Sequence, residues 1–208
     1  MKNGFLNGFL FNYIGPRVHL ECTNLLSALQ HRYETLDKLQ HEVELVRMLG
    51  PFSNLPISNL RISPIGLVAK PDGGWRLITN LSAPEGNSVN SYIEEQICKV
   101  KYSSLDQILD KIYDAGHRAK LAKIDIKSAF RLLIVNPADF DLLGIKFCNR
   151  YYIDKCLPMG CSVSCNLFEK FSTFLQWVVE VRPGLDSLDH YLDDFIFIGG
   201  NKRLIVLY

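Results

Sequence analysis

The stretch Leu188-Asp189-His190-Tyr191-Leu192-Asp193-Asp194-Phe195-Ile196-Phe197-Ile198-Gly199-Gly200 constrains this chain more than any other. Apolar residues on both sides read as buried β-strand, yet two adjacent carboxylates sit between them. Like charges side by side repel, and carboxylates are almost never fully buried unless something pairs with them. A cation is the natural partner. An Asp pair is also a common hairpin device, because Asp tolerates unusual backbone angles and bonds its own neighbours. The dipeptide alone therefore leaves metal chemistry and plain turn geometry both open.

Composition narrows the background. With 208 residues and 48% hydrophobic content, the chain can bury one sizeable core or two small lobes. Its formal net charge of +1 is not the strongly basic balance of a non-specific nucleic-acid binder. Charge is uneven, however. Between Lys99 and Arg131 the cations Lys99, Lys101, Lys111, Arg118, Lys120, Lys123, Lys127 and Arg131 outnumber Asp106, Asp110, Asp114 and Asp125. Such a cluster is ordinarily a solvated face. The six cysteines form no CxxC pair and follow no secretory leader, so a disulfide framework is not expected and a reducing, intracellular location fits, cytoplasm or nucleus. No apolar run reaches the roughly 18 residues of a membrane span, so no membrane partner is expected.

Periodicity gives the elements. After Thr35, Leu36, Leu39, Val43 and Val46 recur at helical spacing and the run closes on Gly50-Pro51. Pro51 to Pro64 is Pro- and Asn-rich and reads as an extended connector crossing a surface. Ile65 to Ser82 holds two apolar runs joined by Pro71-Asp72-Gly73-Gly74, a hairpin whose glycines supply positive φ, with Lys70 and Arg76 flanking the turn. Residues 103–116 read as a helix capped by Ser103 or Ser104 and stopped by Gly116. Ala119 to Ile126 alternates as a strand and ends near a lone acid, Asp125. A further hairpin turns at Asn149-Arg150, a long helical segment covers Cys161 to Val181, and the acidic stretch forms the last hairpin. Helices alternating with antiparallel hairpins indicate an α+β fold rather than a doubly wound parallel sheet.

If the strand ending at Asp125 neighbours the hairpin carrying Asp193 and Asp194, three carboxylates converge. Mg²⁺, which takes hard oxygen ligands, relieves their repulsion, and a pair of such ions suits phosphoryl transfer.

Four segments carry a resemblance. Tyr191-Leu192-Asp193-Asp194 resembles the YxDD signature of reverse transcriptases. "DIKSAF" (Asp125 to Phe130) resembles that family's first palm motif, "LPMGCSVSCNLF" (Leu157 to Phe168) its LPQGxxxSPxxF motif, and "PIGLVAKPDGGWRLITNLS" (Pro64 to Ser82) its fingers hairpin. They occur in the family's order over about 140 residues. "GFLFNYIGPR" and "LSAPEGNSVN" look further like the DIRS-type group of tyrosine-recombinase retrotransposons.

The resemblance implies a polymerase right-hand architecture, with fingers and an incomplete palm built as an antiparallel sheet with helices on one face, ferredoxin-like. It implies a lead-in over 1–60, a fingers-like region over 61–118 and a partial palm over 119–208. The thumb and RNase H are expected to be absent, the chain being truncated after the YxDD motif, and "NKRLIVLY" does not look like the family's continuation. Asp125, Asp193 and Asp194 would be catalytic and would hold two Mg²⁺ ions, or Mn²⁺, with the carbonyl of Ile126. Lys70 and Arg76 would grip the triphosphate of a deoxynucleoside triphosphate, Arg bidentately and Lys as a point charge. Phe130 would stack under the sugar and exclude a 2′-hydroxyl; its ordinary alternative is core packing. Gly160 would allow close backbone approach, Tyr191 would contact substrate, and Ser164 and Asn166 would lie near the template or cap the next helix. RNA template and DNA primer would be the macromolecular partners. Met159 and Cys165 depart from the family's usual Gln and Pro. A catalytically silent remnant that binds nucleic acid or a protein is the alternative function, and a sugar-nucleotide transferase leaves the fingers hairpin and the LPMG segment unexplained.

Overall fold

The computed structural model describes residues 2–71, 73–181 and 187–200; Asp72 of the expected hairpin turn and the 201–208 tail lie outside them. Along the chain come α1 (Lys2–Asn7), β1 (Leu20–Glu21), α2 (Leu26–Gln30), α3 (Arg32–Glu44), β2 (Met48–Phe52), β3 (Arg61–Ile62), β4 (Ile65–Ala69), β5 (Trp75–Thr79), α4 (Glu95–Cys98), α5 (Leu105–Asp114), β6 (Lys120–Asp125), β7 (Gly144–Phe147), β8 (Arg150–Asp154), α6 (Ser164–Glu180), β9 (Ser187–Tyr191) and β10 (Asp194–Gly199). The fold is α+β. Its two compact units interleave in sequence: Met1–Cys98 with Phe130–Ser164, and Lys99–Ala129 with Cys165–Tyr208. The consecutive segments 1–60, 61–118 and 119–208 cut across these units, because the chain leaves the first at Cys98 and re-enters it at Phe130.

The first unit contains a five-stranded sheet in the order β1-β3-β7-β8-β2 and a separate β4-β5 ribbon. Two pairings, β1 with β3 and β3 with β7, are parallel, so this sheet is mixed; nothing in the local alternation announces them. The β7-β8 hairpin turns at Cys148 and Asn149, both left-handed (φ 49° and 55°), one place ahead of the expected Asn149-Arg150. Leu36, Leu39 and Val43 of α3 pack with Met48, Ile65, Ile145 and Tyr152. Burying a side chain such as Leu39 contributes about 1.5–3 kcal/mol. The helix stops at Leu45, before the expected Gly50-Pro51, which instead lies inside β2; Val46 takes the positive φ that ends it.

The segment expected to cross a surface runs partly through the interior, since Leu60, Arg61 and Ile62 are all buried. Phe9, Phe11 and Tyr13 of the N-terminal segment are likewise built into the unit. Phe11 is fully buried and its amide donates to Asp139 (2.8 Å), while Arg17 pairs with Asp139 (2.6 Å) and Asp141 (2.5 Å). Apolar side chains thus carry the N-terminal segment inward, and ion pairs fix where it lands.

The second unit is a three-stranded antiparallel sheet, β6-β10-β9, packed on α6. Leu188, Phe195 and Phe197 bury one sheet face against Leu175 and Val179, with Ala122 and Ile126 completing the cluster. In α5, Ser104 accepts from the Gln107 amide and Gln107 reaches back, a reciprocal capping box that selects Ser104 over Ser103. Gly116 supplies the left-handed residue beyond the helix (φ 86°).

Arg131, in the first unit, is half-buried between carboxylates: its guanidinium lies 2.7 Å from Asp154 and 2.8 Å from Glu42. Burial opposes its charge, but Asp154 and Glu42 outweigh that and hold it above its ordinary value. Removing one partner of a buried pair leaves the others uncompensated. Arg131→Met is expected to cost about 3–5 kcal/mol of stability, read by urea unfolding.

Candidate active site

The second unit brings three of the expected acids to one end of its sheet. Asp125 closes β6, Asp194 opens β10, and the two are direct cross-strand partners; on its other side Asp194 faces Tyr191 of β9. Directly opposed residues of antiparallel strands project from the same face with Cβ atoms about 4.5–5.5 Å apart. A row of Asp125, Asp194 and Tyr191 therefore crosses all three strands. Asp193 occupies the turn with Leu192, whose φ of 53° lies in the left-handed region. The Ile126 amide donates to the Asp193 carbonyl at 3.0 Å, so the turn is tied to the end of β6.

Like charges directly opposite each other weaken a strand pair. Lys123, two residues before Asp125 and on the same face, supplies the counter-charge, with its Nζ 3.0 Å from Asp194 Oδ2. Both side chains are open to solvent, 64% and 44% exposed, so the pair is worth only about 0–1 kcal/mol. Carboxylates and a backbone carbonyl are the donors a hard divalent cation takes. The backbone register suits such an ion, but the side chains as they stand do not: among the described residues, no group of three or more His, Cys, Asp or Glu is placed to hold a metal. Asp194 faces an ammonium instead of its fellow carboxylates.

The frame behind this turn is polar and largely buried. Asp189 is 3% exposed and accepts from Lys111 at 2.8 Å and from the His190 amide at 2.8 Å. Burial pushes its carboxyl up, but bonds from Lys111, Ser103 and His190 overcome this and hold it below the usual carboxylate value. From α6, Glu169 and Gln176 face the two ring nitrogens of His190 (3.1 and 2.5 Å), and the Ser172 hydroxyl donates to the Leu192 carbonyl (2.7 Å). The exposed Tyr191 ring lies 4.7 Å from Tyr102, whose phenol is pushed up by burial and by neighbouring Cys165. Asn166 donates to the Lys99 carbonyl.

Lys70, Arg76, Phe130 and Gly160 belong to the first unit. Lys70 follows directly on β4, its amide donating to the Gly74 carbonyl (2.8 Å), and Arg76 sits opposite Val68. Period-two alternation puts both cations on one exposed face of the ribbon. Phe130 is 8% exposed, within a 3₁₀ turn. Gly160 has a structural need of its own: a Cβ there would overlap the Thr79 carbonyl oxygen, and its own carbonyl accepts from Asn90 (2.9 Å). Ser164 is fully buried and donates to the Pro158 carbonyl.

Sequence reasoning counted Lys123 only as part of a charge excess, although its place two residues before Asp125 on an alternating strand already put both on one face. It passed over Glu169, Ser172 and Gln176. Their spacing of three and four in a helix otherwise read for its apolar face was the available signal.

Compared with protein families and with curated proteins, the sequence matches none. Solved structures do match. The fold resembles the fingers and palm of reverse transcriptases. The native prototype foamy virus protease-reverse transcriptase superposes with a TM-score of 0.60 at 17% identity, over 89% of this chain and 22% of that one. A selenomethionine-labelled CSH mutant of the same protein gives 0.66 at 17% identity, over 91% and 22%. A foamy viral protease-reverse transcriptase dRH in complex with double-stranded DNA gives 0.62 at 16% identity, over 92% and 29%. This chain thus spans between about a fifth and a third of those proteins' length. No helix among the described residues is long and apolar enough to cross a membrane.

Two outcomes are expected. Because the lowered Asp189 carboxyl stabilises the fold only while ionised, the wild-type advantage over Asp189→Asn in urea unfolding should be constant above about pH 4, the ordinary carboxylate value, and shrink as pH falls through the lowered value. Gly160→Ala should destabilise by about 1–3 kcal/mol in thermal unfolding with no ligand present, because the Thr79 carbonyl must move.

Proposed function

We propose that this chain is the fingers and partial palm of an RNA-directed DNA polymerase that performs template-directed nucleotidyl transfer. The observation that carries the reading is the register that sets Asp125 opposite Asp194, with Asp193 in the adjoining turn. The reverse-transcriptase-like fold supports it, as does the placing of two cations on one face of the β4-β5 ribbon. In this reading the carboxylates of Asp125, Asp193 and Asp194 and the Ile126 carbonyl hold divalent ions, Mg²⁺ or Mn²⁺. When bound, such ions activate the attacking hydroxyl and neutralise the leaving oxygen of an in-line displacement. The protein's own part is to bind and orient. Asp194 exchanges Lys123 for its fellow carboxylates, Lys70 and Arg76 bind the triphosphate of a deoxynucleotide, Phe130 discriminates against a 2′-hydroxyl, and Gly160 keeps the backbone close to the nucleotide. RNA template and DNA primer bind chiefly through backbone phosphates, so affinity falls with salt. A retrotransposon of the DIRS type is the source that the lead-in and the Leu81–Asn90 loop favour.

One observation favours a second reading. Asp194 engages Lys123, and among the described residues no group of three or more His, Cys, Asp or Glu is placed to hold a metal. A non-catalytic remnant that binds nucleic acid or a protein would need nothing more.

Primer extension on poly(rA)·oligo(dT) separates the two. Extension that requires Mg²⁺, stops with EDTA and falls at least 100-fold in Asp193→Asn is expected. Template-primer binding without extension favours the remnant, and equal extension by both chains removes the metal site.

A further inference from the structure

We infer that Ser172 of α6 is a positioning residue for the acidic turn, holding Leu192 in its left-handed conformation so that Asp193 and Asp194 follow at a fixed angle. Ser172 is fully buried. A hydroxyl buried in a helix interior is costly unless bonded, and serine there ordinarily bonds back to the carbonyl four residues earlier. This one points out of its helix, to the Leu192 carbonyl at 2.7 Å. The next peptide carbonyl, that of Asp193, accepts from the Ile126 amide at 3.0 Å. Two successive carbonyls of the turn are thereby held by two different elements, α6 and the end of β6, and neither bond belongs to the hairpin itself.

Ser172 does not act alone. Glu169 and Gln176 lie three residues before it and four after, so all three share one helix face. Gln176 donates to the Leu188 carbonyl (3.1 Å), and with Glu169 it brackets the ring of His190, which is 5% exposed. This polar row grips β9 at Leu188 and His190 and the turn at Leu192. Leu175 and Val179 of the same helix supply the apolar contact that keeps helix and hairpin together. Adhesion and aim are thus divided between different residues. Non-glycine residues with positive φ are uncommon and persist where their surroundings over-determine them. Ser172 is the group that does so at Leu192.

The role of the turn in holding metal rests on the proposed polymerase reading; the bond and its effect on the turn do not. The test uses the full chain and two readouts, amide hydrogen exchange and Mn²⁺ binding followed by electron paramagnetic resonance. In Ser172→Ala, exchange at the Ile126 amide should speed about tenfold, the worth of one hydrogen bond, while Phe195–Ile198 amides keep their rates. Mn²⁺ affinity should fall by a similar factor, and Ser172→Thr, which keeps the hydroxyl, should recover both. Unchanged exchange at Ile126 overturns the inference. So does acceleration of Ile126 in step with the β10 strand, which would make Ser172 a packing residue only. If the unaltered chain and Asp193→Asn both fail to bind Mn²⁺, the metal reading falls, and exchange at Ile126 still decides the role of Ser172.

Discussion

Everything at the candidate site depends on the register between β6 and β10. Side chains alternate faces along a strand, so a slip of one residue would move every one of them to the opposite side of the sheet. Burial is what prevents the slip. Phe195 and Phe197, with Ala122 opposite Phe197, turn toward Leu175 and Val179 of α6 and lose water there. Their neighbours in the alternation, Asp194 on one strand and Lys123 and Asp125 on the other, must then emerge on the far face. The position of the carboxylates follows from the burial of aromatics one residue away, which also explains why acids can sit among strand-forming residues without being buried themselves.

The second unit was the more legible of the two. The strand ending at Asp125, the capped helix after Ser104 and the acidic hairpin all lie where hydrophobic alternation and capping chemistry put them, because each is specified by residues adjacent in sequence. What stayed hidden is what chain-local signals cannot carry. The parallel pairings of β1, β3 and β7 join segments some 40 to 80 residues apart, and β1 and β3 are two residues long, too short to show a period. Pro51 to Pro64 reads as a surface connector by composition, yet Leu60 and Ile62 pull it inward and carry Arg61 with them. At the candidate site, the meeting of the Asp125 strand with the acidic hairpin was readable, but the ion pair between Lys123 and Asp194 was not, since it depends on cross-strand geometry. Gly160 shows the complementary difficulty: its need for a missing side chain comes from Thr79, a contact that only the folded chain reveals.

Several charged groups of the two units meet opposite charges, whereas the buried Arg61 is met by the Asn87 carbonyl. Arg131 answers Glu42 and Asp154, Arg17 answers Asp139 and Asp141, and Lys111 answers Asp189. Buried ion pairs contribute little net stability against apolar replacements of equal shape, but they penalise any arrangement that separates the partners. In the first unit they fix where the N-terminal segment and α3 meet the middle of the chain. In the second they fix α5 against β9, behind the acidic turn.

The β6 strand has one further consequence. Among the described residues it lies at the margin of the β6-β10-β9 sheet, and a sheet margin is in general a template onto which another polypeptide can add. Lys120 and Lys123 stand along it, exposed, and natural sheets use lysine in such places to keep neighbouring molecules from stacking edge to edge. The ammonium that pairs with Asp194 thus stands on an edge of the kind that natural sheets protect with lysine. One side chain on that edge therefore serves two local ends, balancing the charge of Asp194 and placing a cation beside open backbone groups.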